Sequence, residues 1–308
     1  PYKNPFGMIY DNGLYAEALN DALKLADWDG FEQRRKASQE QGMLRGVGVG
    51  VYVDTGTGVT RERAVIRVSP DGVTQLIIGT VSNGQGHETS YAQLLNEWLG
   101  VPLEQVRLAS VDTDTILFGG GSHSGRSMRL ASIIIQKACG RIISRAREVV
   151  AALFHVRPET LVFYGGQIRG EGLATPLSLA EVALHMQQSN SLAAHLQGPL
   201  EAECDEIISE AAYPYGAHVC EVEIDPQTGG VRVDRYAAVD DVGKAINPMI
   251  VHGQTHGGVA QGLGQALSET IIYDSIGQLA SGSFMDYALP RADSMPSFAT
   301  AISEVPAS

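Results

Sequence analysis

Residues 82–89 (SNGQGHET) combine polar side chains with two glycines between a predicted strand and a predicted helix. Glycine lets the backbone approach a ligand closely. A helix start offers unpaired N–H donors and the positive end of the helix dipole. The Gln85 amide both donates and accepts hydrogen bonds, as recognition of a heterocycle requires. The run indicates a ligand-binding loop, and the alternative is a tight turn in which His87 or Thr89 caps the helix.

A second run, residues 119–127 (GGGSHSGRS), stands just before the longest predicted helix. From Gly120 to Ser127 the spacing matches the phosphate-binding pattern GxxxxGK[ST], except that Arg126 stands where lysine belongs. Arginine does not replace that compact point charge, and residues 112–115 are unlike a buried parallel strand. These departures disfavour a nucleoside triphosphatase. They leave a loop that binds phosphate or a pterin at the start of a helix.

A third run, residues 247–267, is rich in glycine and glutamine and contains His252 and His256 at a spacing that could chelate a metal. No glutamate accompanies them as in HExxH, and Gly257 and Gly258 weaken the helix at that point. We therefore expect no protein ligands to a metal here. A glycine-rich helix packed tightly against a neighbour is the structural alternative.

The elements that must position these runs follow from the hydrophobic pattern and from turn residues such as Pro70-Asp71-Gly72. Residues 31–44 are charged and glutamine-rich, and we expect them at the surface. The predicted helices are 14–27, 88–99, 127–154, 177–187 and 250–267. The predicted strands are 47–53, 64–68, 73–78, 106–111, 218–224, 231–239, 270–273 and 277–281, of which the last two form a hairpin.

Each half of the chain thus has the order hairpin, glycine-rich loop, helix. Residues 84–87 (GQGH) and 253–256 (GQTH) are each followed by an Ala-Gln pair, which suggests an internal duplication. We predict an α+β fold with two lobes of hairpin–loop–helix repeats. The predicted divisions are an N-terminal helical connector at 1–44, a first lobe at 45–210 and a second lobe at 211–308.

The composition, 44% hydrophobic and 19% charged residues, is that of a globular protein, and a net charge of −13 disfavours a nucleic-acid partner. Three cysteines form no CxxC pair and fit no zinc or iron–sulfur spacing, so we expect a reducing, cytoplasmic location. We find no apolar stretch long enough to span a membrane and no secretory signal. The chain opens at Pro1 without a methionine, and we expect it to be a piece of a longer protein.

Taken together, these segments resemble the large, molybdenum-cofactor-binding subunit of the xanthine dehydrogenase, aldehyde oxidoreductase and aerobic carbon monoxide dehydrogenase family. The resemblance rests on GQGHETSYAQLLNEWLGVP, VRLASVDTDT and GGGSHSGRS, followed by the long stretch from YGAHVCEVEID to AQGLGQAL and by GSFMDYALPRADSMP. It covers nearly the whole chain, with the motifs in the family's order. The sequence looks most similar to the bacterial carbon monoxide dehydrogenase-like branch.

The resemblance implies a molybdenum bound through the dithiolene of a pterin, usually the cytosine dinucleotide form in bacteria, without a direct protein ligand. Both lobes would be cofactor-binding. The contacts that carry over are Asn83, Gly84, Gln85, Gly86 and His87 in the first loop, Ser124, Gly125, Arg126 and Ser127 in the second, and Gln261. The family's common GSRS is here Ser-Gly-Arg-Ser, which displaces by one residue the hydroxyl that would bond the cofactor.

The resemblance also implies a catalytic glutamate in a GVGEAG-like motif, which this chain does not contain. That glutamate acts as the general base. Glu269 and Asp286 are single carboxylates in predicted hairpin regions, better explained as surface charges. We assign no catalytic residue and predict that the chain is inactive alone.

The function implied is the cofactor-binding portion of a molybdenum hydroxylase, which converts R–H and water to R–OH with release of two electrons. The substrate would be an aldehyde, a purine or other N-heterocycle, or carbon monoxide. The implied partners are the rest of the large subunit, a 2Fe-2S subunit and an FAD subunit, in a dimer of heterotrimers. Two alternatives remain: a pterin-binding scaffold subunit of a split enzyme, and a non-catalytic paralogue.

Overall fold

A computed structural model describes residues 2–10, 13–56, 58–109 and 112–306. The strands are β1 (Tyr2–Lys3), β2 (Ile9–Tyr10), β3 (Leu44–Val53), β4 (Arg61–Val68), β5 (Thr74–Ile78), β6 (Val106–Ala109), β7 (Leu161–Tyr164), β8 (Gln167–Gly170), β9 (Leu177–Ser178), β10 (Leu200–Ile207), β11 (Tyr215–Ile224), β12 (Val231–Asp241) and β13 (Phe298–Ser303). The α-helices are α1 (Tyr15–Leu25), α2 (Phe31–Glu40), α3 (His87–Leu99), α4 (Arg126–Phe154), α5 (Leu179–Gln188) and α6 (Pro248–Leu267). The mixed α+β fold class is confirmed, and residues 110 and 111 of the predicted strand 106–111 lie outside the described residues.

The chain forms two compact units, one from residues 1–55 with 212–308 and the other from residues 56–211. The predicted boundary at 44/45 therefore falls inside one unit. The physical reason is strand pairing, because β3 pairs along its whole length with β11, from Leu44 opposite Ile224 to Val53 opposite Tyr215. The segment predicted as a connector, 1–44, contributes α1 and α2 to that same unit.

The first unit is built on a four-stranded sheet in the order β13-β12-β11-β3. Strands β3, β11 and β12 are antiparallel, and β13 is parallel to β12. Helix α1 packs on β11 and β12 through the alanines at 18, 22 and 26, whose small side chains let it approach the sheet closely. Burial of this apolar face supplies the main driving force for docking the helix.

The second unit is built on a four-stranded sheet in the order β10-β4-β5-β6. The predicted hairpin at Pro70-Asp71-Gly72 is confirmed, with β4 and β5 antiparallel. Helix α3 connects β5 to the parallel strand β6. Helix α4 covers the sheet with a fully buried stripe at 3.6-residue spacing that includes Ile134, Ile135 and Ala138. The sheet thereby holds the starts of α3 and α4 in one unit.

The two sheets share one topology, which supports the internal duplication. In each, an antiparallel hairpin is followed by a helix and by a strand parallel to the second hairpin strand. The two similar sequence runs, 84–87 and 253–256, lie at different points of their helices. Residues 84–87 end a loop and begin α3, whereas 253–256 lie inside α6.

The last predicted hairpin, 270–273 with 277–281, is reduced to one isolated antiparallel bridge between Tyr273 and Leu279. Ile271, Ile272 and Tyr273 are each more than half exposed. A two-stranded ribbon without a packed face is marginal in water, so the full hairpin does not form. Within the described residues, we find no helix with the length and apolar character to cross a bilayer.

Candidate cofactor site

The first predicted loop joins β5 to α3 and requires glycine at two positions. Gly84 has φ +104° and Gly86 has φ +72°, backbone conformations that L side chains rarely adopt. Gly86 is the N-cap of α3, and no side chain caps this helix start. The loop therefore presents main-chain N–H groups at the positive end of a helix dipole, the arrangement that favours an anionic or strongly accepting ligand.

The polar residues of this loop lie at or near the surface. Asn83 and Gly84 are exposed, and Gln85 is half-buried. The Gln85 side chain closes the turn, since its Oε1 accepts from the Asn83 N–H at 2.5 Å and its Nε2 donates to the Val81 carbonyl at 3.4 Å. Because Nε2 carries two N–H groups, this amide can hold the loop with one of them and offer the other to a ligand.

The His87 side chain points into the protein. It is 3% exposed, its Nδ1 lies 3.1 Å from the Thr80 carbonyl, and its ring stacks on Tyr91. Tyr91 also bonds the Thr80 hydroxyl at 2.8 Å. Burial lowers the pKa of His87 and raises the pKa of Tyr91. The imidazole predicted as a ligand contact therefore anchors α3, and only the backbone of His87 faces the loop.

The second predicted loop, 119–127, meets the first within the same unit. A Cβ atom added at Gly79 would lie 2.2 Å from the Gly119 Cα, so two backbones touch where only glycine fits. The Ser122 hydroxyl donates to the Val81 carbonyl at 2.5 Å. Two motifs about forty residues apart in the chain thus form one continuous surface.

The end of the second loop resembles that of the first. Gly125, the N-cap of α4, has φ +66°, and no side chain caps this helix either. Ser124 is exposed with φ +50°, whereas Ser127 is 8% exposed in the first helical turn. The first turn of α4 contains no acidic residue, whereas that of α3 contains Glu88. An anion therefore finds the more favourable site at the start of α4.

Arg126 is turned away from this surface. Its side chain is 1% exposed and forms an ion pair with the fully buried Glu62 at 2.9 Å. The prediction of a cofactor contact through its guanidinium is not supported by this geometry, because the group donates to three main-chain carbonyls and to Glu62 of the protein itself. Sequence reasoning missed Glu62, which had no signal within a run of alternating charged and apolar strand residues.

His123 was also missed, although it lies within the predicted glycine loop. Its Nδ1 is 3.2 Å from the Ser124 hydroxyl and its Nε2 is 3.3 Å from the Gly120 carbonyl. The ring therefore spans the loop on its exposed side. A histidine between glycines was the available signal, since it is the only large polar side chain between 119 and 125.

Gln261 lies on α6 in the other unit, where its side chain is exposed. The start of α6 is capped, because the Asn247 side chain accepts from the Ile250 N–H at 3.1 Å. His252 and His256, spaced as a metal pair, both contact the Thr300 hydroxyl, at 2.8 and 3.4 Å. Among the described residues no three His, Cys, Asp or Glu side chains converge as a metal site.

The surface formed by the two loops of the second unit fits a ligand with an anionic group and a polar heterocycle. Two uncapped helix starts supply donors, and a Cβ added at Gly84 or Gly125 would meet nothing within 4 Å. Residues 21–296 match the model of a family described as the molybdopterin cofactor-binding domain. This chain belongs to that family.

Relatives of this molybdopterin cofactor-binding chain include the carbon monoxide dehydrogenase large chain of Hydrogenophaga pseudoflava, 32% identical over 97% of this chain and 39% of the relative. The nicotine 6-hydroxylase large subunit of Paenarthrobacter nicotinovorans is 30% identical over 97% of this chain and 38% of its own length. The crystal structure of quinoline 2-oxidoreductase from Pseudomonas putida 86 superimposes with a TM-score of 0.87 at 30% identity, covering 99% of this chain and 41% of that one. The chain thus spans about two fifths of the length of these relatives.

Proposed function

We propose that this chain is the molybdopterin-binding portion of a molybdenum hydroxylase large subunit. The observation that carries the proposal is the contact of two glycine loops at Gly79 and Gly119, beside two helix starts without side-chain caps. The reaction would be oxidative hydroxylation with water as the oxygen source. Relatives named for carbon monoxide, nicotine and xanthine support carbon monoxide or an N-heterocycle such as a purine as the substrate class, and the family resemblance adds an aldehyde.

Different residues would contact different parts of the cofactor, according to their chemistry. The start of α4, with Ser124, Gly125 and Ser127, would hold a pyrophosphate, because no side chain caps this helix and its first turn has no acidic side chain. Asn83 and Gln85, with the backbone at Gly84, Gly86 and His87, would contact the pterin edge through paired donors and acceptors. Gln261 would be a further contact. When bound, the group supplies a molybdenum centre that takes up the two electrons of the oxidation.

We further propose the cytosine dinucleotide form of the cofactor and electron transfer to 2Fe-2S and FAD groups on partner subunits, in a cytoplasmic dimer of heterotrimers. Two observations support separate electron carriers. The three cysteines of the chain are all free in the structure and are scattered along the sequence. Relatives are named as a large chain, a large subunit or a subunit of a dehydrogenase complex.

The test measures molybdenum and released nucleotide in the protein isolated with its natural partners. We expect about one molybdenum and one CMP per chain. Gly125→Asp places a carboxylate where the pyrophosphate would bind, and Gly125→Asn is the matched control, because Asn and Asp both tolerate the left-handed conformation. A Cβ at this position meets no neighbour. We expect the Asn variant to retain the cofactor and the Asp variant to lose it.

Two results would contradict the proposal. If an intact, full-length complex contains neither molybdenum nor nucleotide, the chain is a paralogue that kept the fold without the cofactor. If both Gly125 variants load equally, the pyrophosphate does not bind at the start of α4.

A further inference from the structure

Arg126 stands in the second loop yet makes all of its side-chain hydrogen bonds inside the protein. Its Nε donates to the Val59 carbonyl at 2.9 Å, and one terminal nitrogen donates to the Gly121 carbonyl at 2.5 Å. The other terminal nitrogen donates to the Arg61 carbonyl at 3.1 Å and to Glu62 at 2.9 Å. The guanidinium thus ties the glycine loop to the segment that begins β4.

The Arg126–Glu62 pair is the most deeply buried ion pair in the described part of the chain. The two side chains are 1% and 0% exposed, whereas the neighbouring pair between Arg63 on β4 and Glu203 on β10 is 11% and 50% exposed. The second oxygen of Glu62 accepts from the Arg63 N–H at 3.1 Å. Removing either partner alone would leave an uncompensated charge in the interior, which is strongly destabilising.

The guanidinium also fills the space beneath the glycine loop. A Cβ added at Gly120 would lie 2.3 Å from an Arg126 terminal nitrogen, so the loop backbone rests directly on the side chain. The loop in turn contacts the first loop through Gly119 and Ser122. A displacement of the guanidinium would therefore be transmitted to both loops.

Lysine could not form these contacts. Three carbonyls and a carboxylate receive N–H groups that leave the planar guanidinium in different directions, and an ammonium offers only a single donor centre. This requirement explains why an arginine occupies the position at which the phosphate-binding pattern has a lysine.

We infer that Arg126 and Glu62 form a positioning pair, which holds the two cofactor loops in their binding conformation without contacting the ligand. The inference rests on the proposed function for the nature of the ligand. It assigns Glu62 a role in the site and gives Arg126 a role distinct from that of a phosphate-binding lysine.

The test uses the double variant Arg126→Met/Glu62→Gln, which removes the forked contacts and leaves no unpaired buried charge. The matched control is Arg63→Met/Glu203→Gln, which removes the less buried pair that joins β4 to β10. In the protein purified with its partners, three quantities are measured: the melting temperature, the rate of cofactor release, and hydrogen exchange of the amides at 119–127.

We expect the double variant to melt near the control but to release cofactor about tenfold faster, the equivalent of losing one or two net hydrogen bonds. Exchange at 119–127 should rise by a similar factor while the interior of α4 stays protected. Arg126→Lys, which keeps the charge, should show the same two changes and provides the test if the double variant fails to fold.

Normal release and normal loop exchange in either folded variant would overturn the inference. So would faster exchange spread evenly over the whole unit, because that pattern indicates a contribution to stability alone. If the unmodified protein contains no cofactor, the proposed function fails, and the positioning role is then decided by loop exchange alone.

Discussion

Replacing Gly79 by alanine tests whether the two cofactor loops are in van der Waals contact. The added Cβ would lie 2.2 Å from the Gly119 Cα and 3.0 Å from the Phe118 carbonyl oxygen. Carbon atoms pack at about 3.5–4.0 Å, so the loops would have to separate by more than about 1 Å. Both obstructing atoms belong to the backbone and cannot move as a flexible side chain does.

Overpacking of this kind costs about 1–3 kcal/mol, and we expect Gly79→Ala near the upper end because neither partner is a side chain. Gly140→Ala is the control. Gly140 lies inside α4 with nothing within 4 Å of an added Cβ. Alanine there should stabilise the protein by about 0.5–1 kcal/mol, because it removes a flexible residue from a helix interior.

The assay is urea unfolding followed by tryptophan fluorescence. The chain has two tryptophans, and Trp98 lies near the C-terminal end of α3, in the second unit. A Trp28→Phe background leaves Trp98 to report on the second unit. If Gly79→Ala unfolds within about 0.5 kcal/mol of its parent, the range of a neutral surface change, the loops do not touch as described and the continuous site surface is wrong.

Three further predictions concern single side chains. The pKa of His87 is held below its ordinary 6.5 by burial, so the free energy of unfolding should fall as pH drops below about 6.5, where the unfolded chain binds the extra proton; His87→Gln should flatten this part of a pH series of urea melts. The hydrogen bond from the Ser38 hydroxyl, 2.6 Å from Glu223, is the largest cause that lowers the pKa of that carboxyl to about 2. Ser38→Ala should raise this pKa, as measured by carboxyl ¹³C NMR titration. An unchanged pKa would contradict the contact. Asn247→Ala should cost about 1 kcal/mol in unfolding free energy through loss of the cap to Ile250, whereas Asn247→Asp should cost little.

Local signals predicted much of the second unit correctly. The turn at 70–72, the helix starts at α3 and α4 and the glycines at 84, 86 and 125 were all found from neighbouring residues. Such features depend on interactions over a few residues, namely turn geometry, capping and the period of the apolar face. The family resemblance then supplied the kind of ligand, which composition and spacing alone did not.

Long-range contacts were beyond these signals. The pairing of β3 with β11 joins residues more than 160 positions apart, and because of it the boundary predicted at 44/45 falls inside one unit. The orientation of His87 and Arg126 was likewise hidden, since nothing in their neighbours tells whether a polar side chain faces solvent or a buried partner. Glu62 gave no signal at all before Arg126 was seen beside it.

The amino-acid sequence by itself determined the turn at 70–72, the two glycine loops and the helices that follow them. Those are properties of short segments. Only the tertiary structure decided that the loops at 79 and 119 touch, and that the guanidinium of Arg126 forms an ion pair with Glu62. Both facts depend on which distant segments share a sheet, because strand pairing brings together groups whose separation along the chain carries no local trace.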